Sequence, residues 1–208
     1  MKYYKRVLIA IIGIFFVGLG IAFNAGTMFG NDPIAILYDG MRSVLRMEPE
    51  QLGLISNIVN VAMIVILFFL GKRYINIGTL IYIVPFGFFV SIGTYLYNVV
   101  INQNSFIQRV VGAIIGCSAT YFGVALFIVV AIGLDPFTGV VMAIADKIGW
   151  NFRKTKICFD IVMVLIGYLM GGKLGIITLL TVAAAGPVIQ YFSDVMKKYI
   201  KIENEIKQ

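Results

Sequence analysis

Six long apolar stretches constrain the fold of this chain more than any other feature. They cover residues 7–29, 52–70, 77–99, 109–133, 157–171 and 174–195, and the fifth is the shortest. A bilayer core of about 30 Å requires about 20 apolar residues in a helix that crosses it. The chain has 60% apolar and 13% charged residues and a mean hydropathy of +0.95. These values predict an all-α integral membrane protein with six transmembrane helices.

The basic residues predict the orientation of these spans. With the N-terminus in the cytoplasm, Arg42, Arg46, Arg109 and Lys173 fall outside, and the other thirteen of the 17 basic residues fall inside. An excess of Lys and Arg in the inside loops is what orients membrane helices. We therefore expect a multi-pass protein of the cytoplasmic membrane with both termini in the cytoplasm. Since orientation accounts for most of the net charge of +7, no nucleic-acid partner is expected.

An internal repeat divides the chain into two halves. A shift of 103 positions superposes Gly20 on Gly123, Ala22 on Ala125, Gly30 on Gly133, Asp32 on Asp135 and Pro33 on Pro136. Each half reads span, Asp-Pro step, span, Gly-Lys turn, span. Residues 1–105 and 106–196 form the two halves of one membrane domain, and 197–208 form a cytoplasmic tail. Because three spans is an odd number, the second half is predicted to be inverted, an arrangement found in secondary transporters and also in channels.

A short amphipathic helix is predicted after each Asp-Pro step, over residues 33–46 and, with a weaker polar face, 136–149. Asp is a favoured N-cap, and Pro is favoured at the first helical position. The helices could lie flat at the membrane interface. Alternatively, they could dip inward, so that each N-terminus faces a substrate cavity. Capping alone accounts for the Asp and Pro residues, which favours the interfacial helix.

Polar residues inside the spans are the candidates for a binding site, because such residues in a membrane commonly serve a function. Asp160 lies in the fifth span, and its approximate counterpart in the first half is Asn60. Asp160 could instead pair with a nearby basic residue at the interface. The predicted substrate-binding residues are Asp160, Asn60, Asn57, Asn24, Asp32, Asp135 and Gln190.

Enzyme and metal chemistry find no support in the sequence. The chain has no histidine, and its two cysteines, Cys117 and Cys158, stand alone in apolar segments. No zinc-ligand spacing, P-loop or nucleophile motif is present. We therefore expect no catalytic residues, no metal, no cofactor and no enzymatic activity.

Three segments resemble the YczE/YitT group of bacterial membrane proteins. They are "GLGIAFNAGTMFGNDPIAILYDGM", "GKRYINIGT" and "FDIVMVLIGYLMGGKLGIITLLTVAAAGPVIQYF", and the resemblance covers nearly the whole chain. It implies a small multi-span protein of the cytoplasmic membrane that acts as a transporter, and it supplies no substrate. Where members of the group usually have a small or hydroxyl residue before the proline, this chain has Asp32 and Asp135. These carboxylates would repel an anion from either helix start.

Together these features predict a transporter that moves a small solute by alternating access between the two repeats. Two alternatives remain open: a substrate-binding membrane subunit that works with a separate ATPase, and an accessory or sensor protein that transports nothing. The expected partners are the lipid bilayer and a small-molecule solute. The sequence leaves open whether two copies form a homodimer.

Overall fold

The computed structural model describes residues 2–102 and 104–200, and every regular element in these ranges is helical. The helices are α1 (Tyr3–Thr27), α2 (Pro33–Val44), α3 (Leu52–Gly71), α4 (Ile77–Val100), α5 (Phe106–Val130), α6 (Pro136–Ile148), α7 (Phe152–Leu169) and α8 (Ile176–Tyr199). Single 3₁₀ turns, Pro49–Gln51 and Lys72–Tyr74, flank α3. The all-α prediction is confirmed for these residues. The predicted tail lies largely in 201–208, outside the described residues.

Five helices within these ranges are long and apolar enough to cross a membrane. They are α1, α3 with its two flanking turns, α4, α5 and α8. The predicted fifth span, 157–171, corresponds to α7, which has 18 residues and is not one of the five. Its sequence includes Arg153, Lys154, Lys156 and Asp160, and this charge separates α7 from the others.

Helix α1 is the centre of the bundle and packs along both α5 and α4. Against α5, Gly13 lies beside Gly123 and Gly20 lies beside Gly116, so these two helices run antiparallel. Against α4, Gly18 contacts Val90 and Gly26 contacts Tyr97, so those two run parallel. Glycine permits these crossings because it has no Cβ atom to hold the backbones apart.

Each short helix packs against a long helix of the other half of the sequence: α2 against α7 and α6 against α3. Gly167 of α7 lies against the backbone of Ile36 in α2, and Gly139 of α6 lies against the side chain of Leu67 in α3. The pairing α1 with α4 likewise recurs as α5 with α8. The packing therefore interleaves the two halves of the chain.

The backbone before each short helix follows the same path in both halves. Met28 and Ala131, 103 positions apart, both adopt left-handed conformations, with φ of 58° and 48°. Gly30 and Gly133 follow with φ of 93° and 157°. The two aspartates then have nearly identical angles, φ −66° and ψ 160° at Asp32 and φ −67° and ψ 159° at Asp135. The sequence repeat thus has a matching repeat in local structure.

The short helices are buried more completely than an amphipathic pattern predicts. In α2 the buried residues are Pro33, Ala35, Ile36, Leu37, Tyr38 and Gly40, which lie on several faces of the helix. Val44 and Leu45, at its end, are exposed. In α6 seven of the 13 residues are buried. Each short helix therefore begins inside the protein and emerges toward its C-terminus.

Candidate functional site

The loop after α1 turns back into the bundle before α2 begins. The Asn31 side chain donates from Nδ2 to the carbonyl oxygen of Ile21 at 2.9 Å. Ile21 lies six residues before the last residue of α1, which is about 9 Å back along the helix axis. Asp32, the next residue, therefore starts α2 well below the end of α1.

The loop before each short helix also accepts a hydrogen bond from a helix of the other half. Thr79, in the first turn of α4, donates through Oγ1 to the carbonyl oxygen of Leu134 at 2.8 Å. On the opposite side, the N–H of Ile177, in the first turn of α8, donates to the carbonyl oxygen of Phe29 at 3.0 Å. The loop before each short helix thus rests on the first turn of the last helix of the other half.

Both aspartates of the Asp-Pro steps cap their own helices, as predicted from the sequence. Asp32 Oδ1 accepts the N–H groups of Ile34 and Ala35 at 3.0 and 3.2 Å. Asp135 Oδ1 accepts the N–H group of Thr138 at 3.0 Å. The second oxygen of Asp32, Oδ2, is buried and has no hydrogen-bond partner among the described residues. Because the carboxylates already satisfy these helix starts, an anionic ligand would meet negative charge there.

Asn60 lies at the middle of α3 and is 0% exposed. Its Nδ2 donates to the hydroxyl of Tyr38 at 3.0 Å and to the carbonyl oxygen of Ser56 at 2.7 Å. Since a backbone carbonyl can only accept, the Ser56 contact fixes the orientation of the amide. The amide oxygen, Oδ1, is left buried without a donor among the described residues.

These groups lie within electrostatic range of one another. The carboxylates of Asp32 and Asp135 both act on the hydroxyls of Tyr38 and Tyr82. Asp160, which forms an ion pair with Lys156 one turn earlier on α7, acts in turn on Asp32 and is acted on by Asp135. We call Asp32, Tyr38, Asn60, Asp135 and Asp160 the central cluster. Its members come from α2, α3, α6 and α7.

Three of the predicted residues lie outside the central cluster. Asn24 lies at the crossing of α1 and α5, where it packs on Gly116 and accepts a weak hydrogen bond from Cys117 Sγ at 3.7 Å. Asn57 Oδ1 accepts the N–H of Gly87 at 2.9 Å and joins α3 to α4. Gln190 is exposed on α8 and donates to the carboxylate of Asp194 at 2.9 Å.

Tyr38 and Tyr82 are not among the polar residues that the sequence pattern indicated for the site. Tyr38 sits in an apolar stripe, and its ring packs 6.1 Å from Phe86 and 6.0 Å from Phe137, centre to centre. Only its hydroxyl, bound to Asn60, is polar in character. A tyrosine in a membrane segment is a sequence signal for a buried polar site, because its hydroxyl usually requires a hydrogen-bond partner.

A cleft of about 330 Å³ lies away from the central cluster, where the end of α3 meets α6. Its lining is Leu70, Gly71, Lys72, Arg73, Tyr74, Ala143, Asp146 and Lys147. Tyr74 and Arg73 both donate hydrogen bonds to Asp146. Those two hydrogen bonds lower the pKa of the Asp146 carboxyl below its ordinary value.

The acidic residues and cysteines in the part of the chain that the structure describes are dispersed. There, no three Asp, Glu, Cys or His side chains come close enough together to hold an ion. The aspartates of the central cluster therefore do not form a metal-ligand set.

Five helices long and apolar enough to cross a bilayer, packed around a buried amide and three partly buried carboxylates, define a helical membrane protein. This chain belongs to a family of unknown function, DUF6198, whose model matches residues 4–194.

Two relatives extend the family assignment. The chain is 23% identical over 202 residues to an uncharacterized protein of Haemophilus influenzae, covering 97% of this chain and 89% of the relative. It is 21% identical over 120 residues to the uncharacterized membrane protein YczE of Bacillus subtilis, covering 58% of this chain and 54% of the relative. The predicted membership of the YczE-type family is thereby confirmed. No solved structure matches the chain.

Proposed function

We propose that this protein is a membrane transporter that moves a small solute by alternating access between its two halves. One observation carries the proposal: two Asp-capped helices, one from each half, begin inside the protein at a shared group of polar residues. Buried polar groups and helix starts at membrane depth are costly unless protein or water surrounds them. Discontinuous helices of this kind form the substrate sites of many transporters.

The direction of the helices supports an inverted repeat. The first helices of the two halves, α1 and α5, pack antiparallel through Gly13 with Gly123 and Gly20 with Gly116. Within the first half, α1 and α4 are parallel, as two spans separated by one return must be. The repeated backbone at Asp32 and Asp135 fits the same relationship. In this proposal α7 serves as the sixth span, and both termini are cytoplasmic.

The interleaved packing suggests how access could alternate. Each short helix contacts a long helix of the other half, α2 with α7 and α6 with α3, so a rocking of one half against the other must move both contacts together. An inverted repeat relates the two halves by a pseudo-two-fold axis, and this axis makes the two contacts nearly equivalent. Such a pair favours two states of similar energy, open to opposite sides.

The central cluster supplies the binding groups in this scheme. Asn60 and Asp160 hold corresponding positions on α3 and α7, 100 residues apart, and Asp32 and Asp135 cap the two short helices. A solute among these groups would contact both halves at once, which a rocking mechanism requires. Asn24, Asn57 and Gln190, which the sequence also suggested, take no part in it.

Uptake into proteoliposomes tests the proposal. The purified protein should take up at least one member of a panel of amines, amino acids, organic acids and inorganic cations in a saturable manner. Asp160→Asn should reduce this uptake at least about tenfold, since it removes a charge of the site. Asp194→Asn, an exposed carboxylate on α8, is the matched control and should retain it. Flux no greater than in protein-free vesicles for every solute would overturn the proposal.

A further inference from the structure

We propose that the solute is a small organic ammonium ion, a primary or secondary amine in its protonated form, with Asp32 Oδ2 and Asn60 Oδ1 accepting its N–H groups. This inference rests on the central cluster as the transport site. It adds the chemical class of the solute, which neither the fold nor the family assigns.

Two buried acceptors lack donors. Asp32 Oδ2 and Asn60 Oδ1 have no hydrogen-bond partner among the described residues, and the Asn60 side chain is fully buried. A buried acceptor without a donor costs free energy. The Asn60 amide cannot relieve this by rotating, because its Nδ2 is held by the Ser56 carbonyl at 2.7 Å. Each of these atoms is therefore an acceptor for a ligand that donates hydrogen bonds.

The charge balance of the central cluster calls for a cation. It contains three carboxylates, Asp32, Asp135 and Asp160, whereas Lys156 is the cation that acts on Asp32 among the described residues. Lys156 is already paired with Asp160. Three carboxylates thus face one lysine among the groups that the structure describes here, and a cationic ligand would improve this balance.

The aromatic rings next to the central cluster are compatible with an organic cation. Tyr82 stacks on Phe86, with ring centres 5.0 Å apart and an interplanar angle of 22°, and Tyr38 packs against both Phe86 and Phe137. Aromatic faces attract ammonium groups and accept their alkyl portions. A bare metal ion is a poorer match, since no three-ligand group is present among the described residues. An anion would meet helix starts that carboxylates already cap.

The binding test uses the purified full-length protein in detergent, in phosphate buffer free of amines. Thermal unfolding and calorimetry are followed with methylammonium, dimethylammonium, tetramethylammonium and acetate. Methylammonium or dimethylammonium should bind saturably and raise the unfolding temperature. Tetramethylammonium, which has the charge but no N–H donor, should bind at least about tenfold more weakly, and acetate should not bind.

Two variants connect binding to the named atoms. Asp32→Asn keeps a good N-cap residue but removes the charge, and it should weaken methylammonium binding at least about tenfold. Asn60→Leu removes the amide oxygen and should weaken it as well. Asp194→Asn should bind as the parent does. Unchanged binding in folded Asp32→Asn, or tetramethylammonium binding as tightly as methylammonium, would overturn the inference.

Combining this assay with uptake separates the two proposals. If no amine binds but another solute is transported, the ammonium assignment is wrong and the transporter stands. If amines bind as expected but nothing is transported, the site is correct and the transport function is wrong.

Discussion

Gly13 and Gly123 leave each other no room for a side chain. A Cβ atom on Gly13 would lie 2.8 Å from the carbonyl oxygen of Gly123, and a Cβ on Gly123 would lie closer still to the carbonyl oxygen of Gly13. Gly116 and Gly20, which correspond to these two residues after the shift of 103 positions, also lie at the crossing: a Cβ on Gly20 would lie 2.5 Å from the carbonyl oxygen of Gly116. The crossing of α1 and α5 is thus made twice by one repeated contact.

A larger side chain at the crossing of α1 and α5 should destabilise the protein. In Gly123→Ala the new methyl group meets the backbone of α1, so we expect a loss of about 1–3 kcal/mol in the free energy of unfolding. Gly186→Ala on α8 is the control, because no atom lies within 4 Å of the position its Cβ would take. That variant should change stability by less than about 1 kcal/mol. Equal stability of the two variants in detergent unfolding would contradict the close crossing.

Two substitutions of Asp135, the N-cap of α6, distinguish the effect of its hydrogen bond from the effect of its charge. Asp135→Ala removes the acceptor for the Thr138 N–H and should cost about 0.5–2 kcal/mol of stability. Asp135→Asn keeps an acceptor at the same position, so it should remain within a few tenths of the parent. Unfolding by denaturant measures both. If Asp135→Asn proved as unstable as Asp135→Ala, the charge and not the cap would be the stabilising feature.

The stability of the protein should depend on the ionisation of Asp146, which lies in the cleft between α3 and α6. Hydrogen bonds from Tyr74 and Arg73 hold the pKa of Asp146 below its ordinary value of 3.8. A carboxyl with a depressed pKa stabilises the folded state above the ordinary pKa, and this stabilisation is lost as the pH falls through the folded value. The unfolding temperature of the parent should therefore exceed that of Asp146→Asn at pH 5 to 7. The difference should narrow only as the pH falls below 3.8, through the lowered pKa of the folded state, and a difference that stayed constant through that titration would refute the assignment.

Topology can be tested by labelling single cysteines with a membrane-impermeant maleimide. In a background of Cys117→Ala and Cys158→Ala, the variants Lys72→Cys and Arg153→Cys should be labelled only after the membrane is permeabilised. Lys173→Cys should be labelled in intact cells. This outcome follows if α7 crosses the membrane between Arg153 and Lys173 and the basic residues lie mostly inside. Labelling of Lys72→Cys and Arg153→Cys from opposite sides would rule out the inverted repeat.

The short helices were predicted accurately because their signals are local. Residues 33–46 and 136–149 were expected, and the structure has Pro33–Val44 and Pro136–Ile148. An aspartate that binds the N–H groups two or three positions ahead needs no distant contact to start a helix. The depth of these helices was not predicted, since it depends on contacts such as Asn31 with Ile21, which join residues ten positions apart.

The candidate site was predicted in part. Asp32, Asp135, Asn60 and Asp160 were each identified from the sequence, and the structure brings them within electrostatic or hydrogen-bonding range of Tyr38, Tyr82 or one another. Asn57, three positions before Asn60, was also predicted to bind substrate, yet it turns toward Gly87 of α4. Residues three positions apart differ by about 60° around a helix, and the neighbouring helices decide which of them faces the site.

A bundle of apolar helices with two Asp-capped short helices can be predicted from the sequence, because apolar length and capping act within one segment of chain. Tertiary structure alone decided which helices cross, how deep Asp32 lies and which polar groups meet, because these depend on packing between residues far apart in sequence. The buried oxygens of Asp32 and Asn60, left without donors among the described residues, emerge only at that level.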